Sequence, residues 1–234
     1  MRPKVALCMP YKNDEDVLEW TLDKIPAYFS HYLFLDTGSV DKSTSLIATR
    51  FPSSRVLQSN DNTIDFGKWR NMLIAEAERQ GAEWVFMLDS DETLFIPAYD
   101  ALFNYVEYGT SEVYRLSRID FVGNKGHYRA DCYPDWQGRL FKLNCGYYFA
   151  PQIHAQIHKD GAIVQGQYLP HITIYHYGWT RDENKKKLHY LNAERIKQGL
   201  PMLTQLPEGA SLSSATGQPP KEEWKIYNFY GKQP

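Results

Sequence analysis

Up to about residue 95, short apolar runs alternate with segments of helical spacing, and most of the runs end on a polar cluster. Val5–Met9 is an apolar run of strand length, as a strand buried on both faces requires. Asn13 and Asp14 are N-cap residue types, and Val17, Leu18, Leu22 and Ile25 behind them share one helical face. Tyr32–Leu35 predicts a second strand, Asp41 caps a helix running through Arg50, and Arg55–Gln58 predicts a third strand. In the helix predicted over Phe66–Arg79, Trp69, Leu73 and Ala77 line one face, and Trp84–Leu88 is the clearest strand of the chain. Such alternation implies βαβ units and a mainly parallel sheet, whose ligands bind outside the carboxyl ends of the strands. Polar residues stand at those ends: Pro10-Tyr11-Lys12-Asn13, Asp36-Thr37-Gly38-Ser39 and Asp89-Ser90-Asp91-Glu92.

After about residue 110 the pattern changes. Glu112–Arg118, Arg139–Leu143, Tyr147–Phe149, Ile153–Ile157 and Ile172–Tyr177 are strand-like with few helices between them, which predicts a mixed or antiparallel extension of the sheet. Thr180-Arg181-Asp182-Glu183 has the form of a capping box opening a helix to Gln198. Residues 201–220, rich in Pro, Gly and Ser, read as a loop, and Trp224, Tyr227, Phe229 and Tyr230 predict a tail that packs on the body. The expected organisation is one domain over 1–200, with a nucleotide-binding half at 1–110 and an acceptor half at 111–200, followed by an extension at 201–234.

Composition narrows the partners. A formal charge of −2 over 234 residues, with Lys185-Lys186-Lys187 as the densest basic run, leaves no electrostatic footprint for nucleic acid. No apolar run approaches membrane-spanning length, so membrane contact is expected to be peripheral. Cys8, Cys132 and Cys145 are an odd set without zinc-knuckle spacing, and no signal-peptide run follows Met1, which together predict a reducing, cytoplasmic setting. The 17 tyrosines and 6 tryptophans, many in the second half among polar residues, suit either a sugar-binding surface or a tyrosine-rich core edge.

The chemistry centres on Asp89 and Asp91. A spacing of two at a strand end sends both carboxylates the same way, and hard oxygen donors suit Mg²⁺ or Mn²⁺, which would neutralise a diphosphate. Asp14-Glu15-Asp16 repeats the spacing but stands where a helix begins and reads as capping. Asp89-Ser90-Asp91-Glu92-Thr93 also matches the Asp-x-Asp-x-Thr of haloacid-dehalogenase-type phosphatases. Against that reading, three strand candidates precede it, Glu92 stands where Gly is common, and no later apolar strand ends in paired acids.

With these pieces in order, the chain resembles the GT-A-fold, family 2 glycosyltransferases, closest to small bacterial members that build lipopolysaccharide core. The resemblance spans roughly residues 4–195. It adds Phe66-Gly67-Lys68-Trp69-Arg70-Asn71, Tyr133-Pro134-Asp135-Trp136-Gln137-Gly138-Arg139-Leu140-Phe141 and His176-Tyr177-Gly178 to the clusters above. It implies an α/β GT-A (Rossmann-like) fold, a nucleoside-diphosphate sugar donor, foremost a UDP-sugar, a saccharide or glycolipid acceptor, and Mn²⁺ or Mg²⁺. Pro10 and Tyr11 would line the nucleotide pocket. Asp36 would accept a hydrogen bond from the base, its alternative being a turn residue before Gly38. Arg70 would reach the base or phosphates, Asp89 the ribose and the metal, and Asp91 would be the main metal ligand. An inverting transferase needs a carboxylate to deprotonate the acceptor, and Asp135 occupies the corresponding position, with Asp131 and Glu92 as alternatives. His176 would be a further metal ligand or a diphosphate contact. His154 aligns with a His-Glu pair, but Ala155 replaces the acid; Lys185 and Lys187 could face phosphates. A non-catalytic nucleotide- or glycan-binding module remains the reading from another class. A sugar-nucleotide pyrophosphorylase would need a Gly-rich loop after the first strand, where Pro10-Tyr11-Lys12-Asn13 stands.

Overall fold

The structure is a computed structural model describing residues 2–59, 65–123, 126–150 and 155–182, single positions between 188 and 203, and the backbone of 226–228. Its elements are β1 (Val5–Tyr11), α1 (Glu15–Thr21), β2 (His31–Asp36), α2 (Ser43–Arg50), β3 (Arg55–Gln58), α3 (Phe66–Arg79), β4 (Trp84–Met87), β5 (Glu92–Thr93), α4 (Ile96–Tyr108), β6 (Val113–Val122), β7 (His127–Arg129), β8 (Asp135–Lys142), β9 (Tyr148–Phe149), β10 (Ile157–Lys159), β11 (Ala162–Ile163), β12 (Gln167–Trp179) and β13 (Ile226–Asn228). The chain divides into two compact units. One holds residues 1–118 and 136–174, the other residues 119–135 and 175–234, and the boundary falls within β6, at the first residue of β8 and within β12.

In the first unit β3, β2, β1 and β4 lie side by side and parallel, and β8 adds an antiparallel neighbour to β4. Period-2 alternation on β1 supplies both cores. Val5, Leu7, Met9 and Tyr11 join Leu18, Ile47, Tyr99, Leu102 and Phe103 on one face, where α1, α2 and α4 pack. Ala6 and Cys8 join Trp69, Leu73 and Ala77 of α3 on the other. The expected mainly parallel α/β sheet with a mixed extension is present. α4 answers no sequence prediction, although Tyr99, Leu102, Phe103 and Val106 are its buried residues at helical spacing. In the smaller unit β7 pairs with the end of β6 through Phe121 and Tyr128, and β13 pairs with β7.

The helix expected over Thr180–Gln198, the Pro-rich segment 201–220, the aromatic tail side chains, His154, Lys185 and Lys187 lie wholly or largely outside the described residues. No described helix is long and apolar enough to cross a membrane.

Pro10 is compatible with a central strand because the β1–β4 pairing ends at Cys8 and Met87, while β1 stays paired to β2 through Tyr11 and Asp36. Past Cys8 the two strands part. This is also where the chain order reverses, from β1–β2–β3 on one side to β4 on the other, the switch point at which parallel sheets of this kind bind ligands.

One ion pair cluster away from that end has a pH consequence. Glu76 on α3 is 8% exposed and accepts Arg79 Nε at 2.8 Å, Arg79 Nη2 at 2.6 Å and Gln80 Nε2 at 2.9 Å, with Arg55 Nε 3.5 Å away. The Arg79 hydrogen bonds hold its carboxyl at about 2, below the ordinary 4.5. A depressed folded-state pKa contributes stability above the unfolded value and loses it as pH falls through the folded one. Stability is therefore expected to fall between pH 4.5 and about 2, and Glu76→Gln should flatten this limb in urea midpoints measured against pH.

Candidate active site at the carboxyl ends of the strands

The β1 and β2 loops are laced together. Thr37 donates from its amide (3.0 Å) and hydroxyl (3.1 Å) to the Tyr11 carbonyl. Asn13, at φ +51°, donates its amide to Ser39 Oγ (3.1 Å) and accepts Val40 N at Oδ1 (2.8 Å). Glu15 N donates to Asp41 Oδ2 (3.2 Å), and Lys42 N to Glu15 Oε2 (2.9 Å). This dense backbone-to-side-chain bonding holds the rim of the switch point in one conformation.

Asp36 closes its own turn. Oδ1 accepts Gly38 N (3.0 Å) and Ser39 N (2.7 Å), while Oδ2 accepts Thr44 Oγ1 (2.9 Å). Gly38 has φ +102°, a conformation that favours glycine. Tyr11 OH lies 2.9 Å from Thr44 Oγ1 and burial pushes its phenol up to about 12, so it stays protonated at neutral pH. Pro10 and Tyr11 are both buried.

After β4, Asp89 turns to guanidinium groups. Arg70 Nη2 donates to its Oδ1 at 2.7 Å and Oδ2 at 2.9 Å; Arg139 Nη2 donates to Oδ2 at 2.7 Å. Burial would raise the Asp89 carboxyl, but Arg139 and Arg70 outweigh it and hold it well below the usual carboxylate range. Arg139 Nη2 also donates to Glu92 Oε1 at 2.6 Å, Arg118 Nη1 reaches the same oxygen at 3.2 Å, and Glu92 Oε2 accepts Asp89 N at 3.0 Å. Glu92 is fully buried and Arg139 is 2% exposed. Leu140 pairs with Phe86, so Arg139, one residue earlier on the antiparallel β8, lies beside the end of β4. Burial alone would lower the Arg139 guanidinium; Asp89 and Glu92 raise it overall. Arg70 is lowered by burial against the pull of Asp89, and its guanidinium lies 5.2 Å from the Phe149 ring centroid.

The predicted residues therefore separate. Arg70 and Asp89 are brought together, but into contact with each other. Arg70 is 6% exposed and its Nη2 is engaged by both oxygens of Asp89 in a charge-assisted pair, so reaching a nucleotide through that nitrogen would compete with Asp89. Asp89 Oδ1 takes one arginine bond and Oδ2 two, its side chain is 26% exposed, and a carboxylate offers about four lone-pair sites, so a further group bound there would share its charge with the two guanidinium groups. Asp91 is half-buried, two residues on. Among the described residues no three His, Cys, Asp or Glu side chains are grouped to hold a metal ion. One carboxylate completed by substrate phosphates and waters is nevertheless an ordinary Mg²⁺ arrangement. Asp89 and Asp91 stand two residues apart after β4, Asp89 held by two arginines and Asp91 half-buried, and carboxylate oxygens of this kind fit a hard divalent cation.

Asp135 begins β8 and belongs to the second unit, as does His176. His176 is 8% exposed, and its Nδ1 bonds Asp120 Oδ1. Asp131 is tied to Arg129 Nη2 at 2.5 Å. Sequence reasoning gave no role to Arg118 or Arg139. A local cue existed, since an arginine in an otherwise apolar strand segment such as Arg139-Leu140-Phe141 must bring an acid with it. Asp14 was expected to cap α1, but its side chain makes no cap bond and instead accepts Ser90 Oγ at 2.6 Å.

No family model matches the chain. A TPR repeat-containing protein of Synechococcus elongatus is 28% identical over 222 residues, 92% of this chain and 51% of that protein. Among solved structures, S. aureus TarS 1–349 aligns with TM-score 0.55 and 17% identity over 75% of this chain and 60% of that one. S. aureus TarS aligns with TM-score 0.54 and 15% identity over 82% of this chain and 40% of that one. The chain thus spans about half the length of the curated relative it matches. Its likeness to the TarS structures shows the fold, and that fold is the GT-A type α/β architecture.

Proposed function

We propose that this chain is a glycosyltransferase that moves a sugar from a nucleoside-diphosphate donor, foremost a UDP-sugar, to a saccharide or glycolipid hydroxyl with inversion. The observation that carries the reading is the Asp89-Ser90-Asp91 loop at the switch point of a GT-A type sheet, bonded directly to the loop after β1. TarS 1–349 has itself been crystallised with UDP and with UDP-GlcNAc, which makes UDP the first nucleotide to test.

In this reading residues 1–110 bind the donor, 111–200 the acceptor, and 201–234 form an extension. Pro10, Tyr11 and the Asp36 turn shape the nucleotide end, with Asp36 and Tyr11 fixing backbone rather than offering free side chains. Arg70 and Arg139 hold Asp89, which would contact the ribose and the divalent cation, and Asp91 would be the main ligand of that cation. Bound there, Mg²⁺ or Mn²⁺ supplies Lewis-acid stabilisation of the departing diphosphate. Asp135 takes the proton from the acceptor hydroxyl as it attacks the anomeric carbon. His176, whose Nδ1 bonds Asp120, would be a further cation ligand or a diphosphate contact. Cys8, Cys132 and Cys145 are free thiols, in keeping with a cytoplasmic setting.

The test is thermal stabilisation by UDP, GDP, CDP and TDP with and without Mn²⁺, since a ligand that binds only the folded state raises Tm by mass action. A metal-dependent shift with one nucleotide is expected. No shift with any nucleotide sinks the reading, and turnover of p-nitrophenyl phosphate abolished by Asp89→Asn would return it to the phosphatase class. Binding without transfer to any acceptor would favour a non-catalytic module.

A further inference from the structure

We infer that Asp14 is a positioning residue for the Asp89-Ser90-Asp91 turn, clamping Ser90 so that Asp91 is fixed before any cation arrives; this rests on the glycosyltransferase reading. Asp14 stands at the N-cap of α1, 6% exposed, yet gives its carboxylate to another element. Oδ2 accepts Ser90 Oγ at 2.6 Å across 76 residues, and Lys12 N at 3.0 Å. Its own amide donates to Ser43 Oγ at 2.8 Å. Thr21 Oγ1, fully buried at the other end of α1, lies 3.0 Å from both the Val17 and the Ser90 carbonyls, which share its one hydrogen. Ser90 is therefore gripped by both its hydroxyl and its carbonyl from one helix, while Asp89 before it is held by Arg70 and Arg139.

The clamp crosses the switch point, joining the β1 loop to the β4 loop where those strands have stopped pairing. A short bond to an ionised acceptor is stronger than the neutral bonds around it. Preorganising a ligand through the residues behind it is how outer contacts tune metal affinity, typically by about 10- to 100-fold.

The decisive variant is Ser90→Ala in the 234-residue chain, which deletes the donor with little change of volume. Amide exchange of residues 89–92 without ligand is expected to quicken about tenfold, as a locally loosened turn would. In saturating UDP, Mn²⁺ affinity by electron paramagnetic resonance should weaken about tenfold, with metal-free UMP affinity unchanged. Asp14→Ala, which also releases Lys12 N, should lose at least as much as Ser90→Ala, the double variant should be no worse than Asp14→Ala, and Asp14→Asn, which keeps an acceptor oxygen, should recover most of the loss. Wild-type exchange rates in Ser90→Ala overturn the inference, as does a fall in UMP affinity equal to that in Mn²⁺ affinity, which marks general loosening. A wild-type chain that binds neither UDP nor Mn²⁺ overturns the glycosyltransferase reading instead, and the ligand-free exchange still decides whether the clamp exists.

Discussion

Arg139→Ala is expected to lower unfolding stability by about 3–5 kcal/mol, the usual cost of removing one partner from a buried ion cluster. Arg139 is 2% exposed, and its Nη2 alone serves Asp89 at 2.7 Å and Glu92 at 2.6 Å. Without it Glu92, fully buried, keeps Arg118, and Asp89 keeps Arg70. Glu92 then sits in low dielectric with less compensation, Asp89, whose side chain is 26% exposed, loses one of its two guanidinium partners, and a cavity is left beside β4. Urea unfolding reads the loss directly. Arg139→Met fills most of the volume, so the difference between Ala and Met separates packing from charge. Pairing Arg139→Met with Asp89→Asn should destabilise by less than the sum of the two, because neutralising one partner removes the penalty of orphaning it. A loss under about 1 kcal/mol for Arg139→Ala, within the range of an ordinary surface change plus error, would mean that the cluster is not held as described.

What the sequence could reveal follows from which interactions are local. β1 to β4 and the helices between them are legible because each apolar run shows its burial in its own residues and each ends on polar ones. The same logic located the rim of the switch point. α4 escaped because Phe95, Ile96 and Ala98 make its start apolar all round and Pro97 reads as a break, although proline is tolerated in a first helical turn. The partners of Asp89 escaped for a different reason. Arg139 lies 50 residues on, and Ser90 meets Asp14 across 76, so no window of sequence contains both members of either pair. Asp14 is the instructive case: its residue type and position are those of a helix cap, and only the tertiary approach of the β4 loop shows the carboxylate used elsewhere. The resemblance supplied Asp91 and Asp89 as a pair, and the structure adds the two arginines that hold Asp89.

In the proposed mechanism Asp91 is the main cation ligand, which sets the outcome of Asp91→Asn. Transfer should fall roughly 10²–10³-fold in kcat, about 2.7–4 kcal/mol of transition-state stabilisation, the range for losing one preorganised electrostatic contact to developing charge. Stability should move little, staying within about 0.5–1 kcal/mol of wild type, because the change is nearly isosteric at a half-buried position. The sign of the remaining effect is itself informative. The Asp91 charge raises the Asp89 carboxyl against the pull of Arg139 and Arg70, so neutralising it relieves a repulsion inside the folded chain. Asp91→Asn is thus expected to lose activity and metal-dependent UDP stabilisation without losing Tm, whereas Asp89→Asn should lose Tm as well, because it strips two guanidinium groups of their partner. Activity measured at saturating Mn²⁺ and UDP-sugar, beside melting curves of the same two proteins, reads both axes. Equal losses of Tm in the two variants would give Asp91 a structural role like that of Asp89. Full activity in Asp91→Asn would remove it from the chemistry altogether.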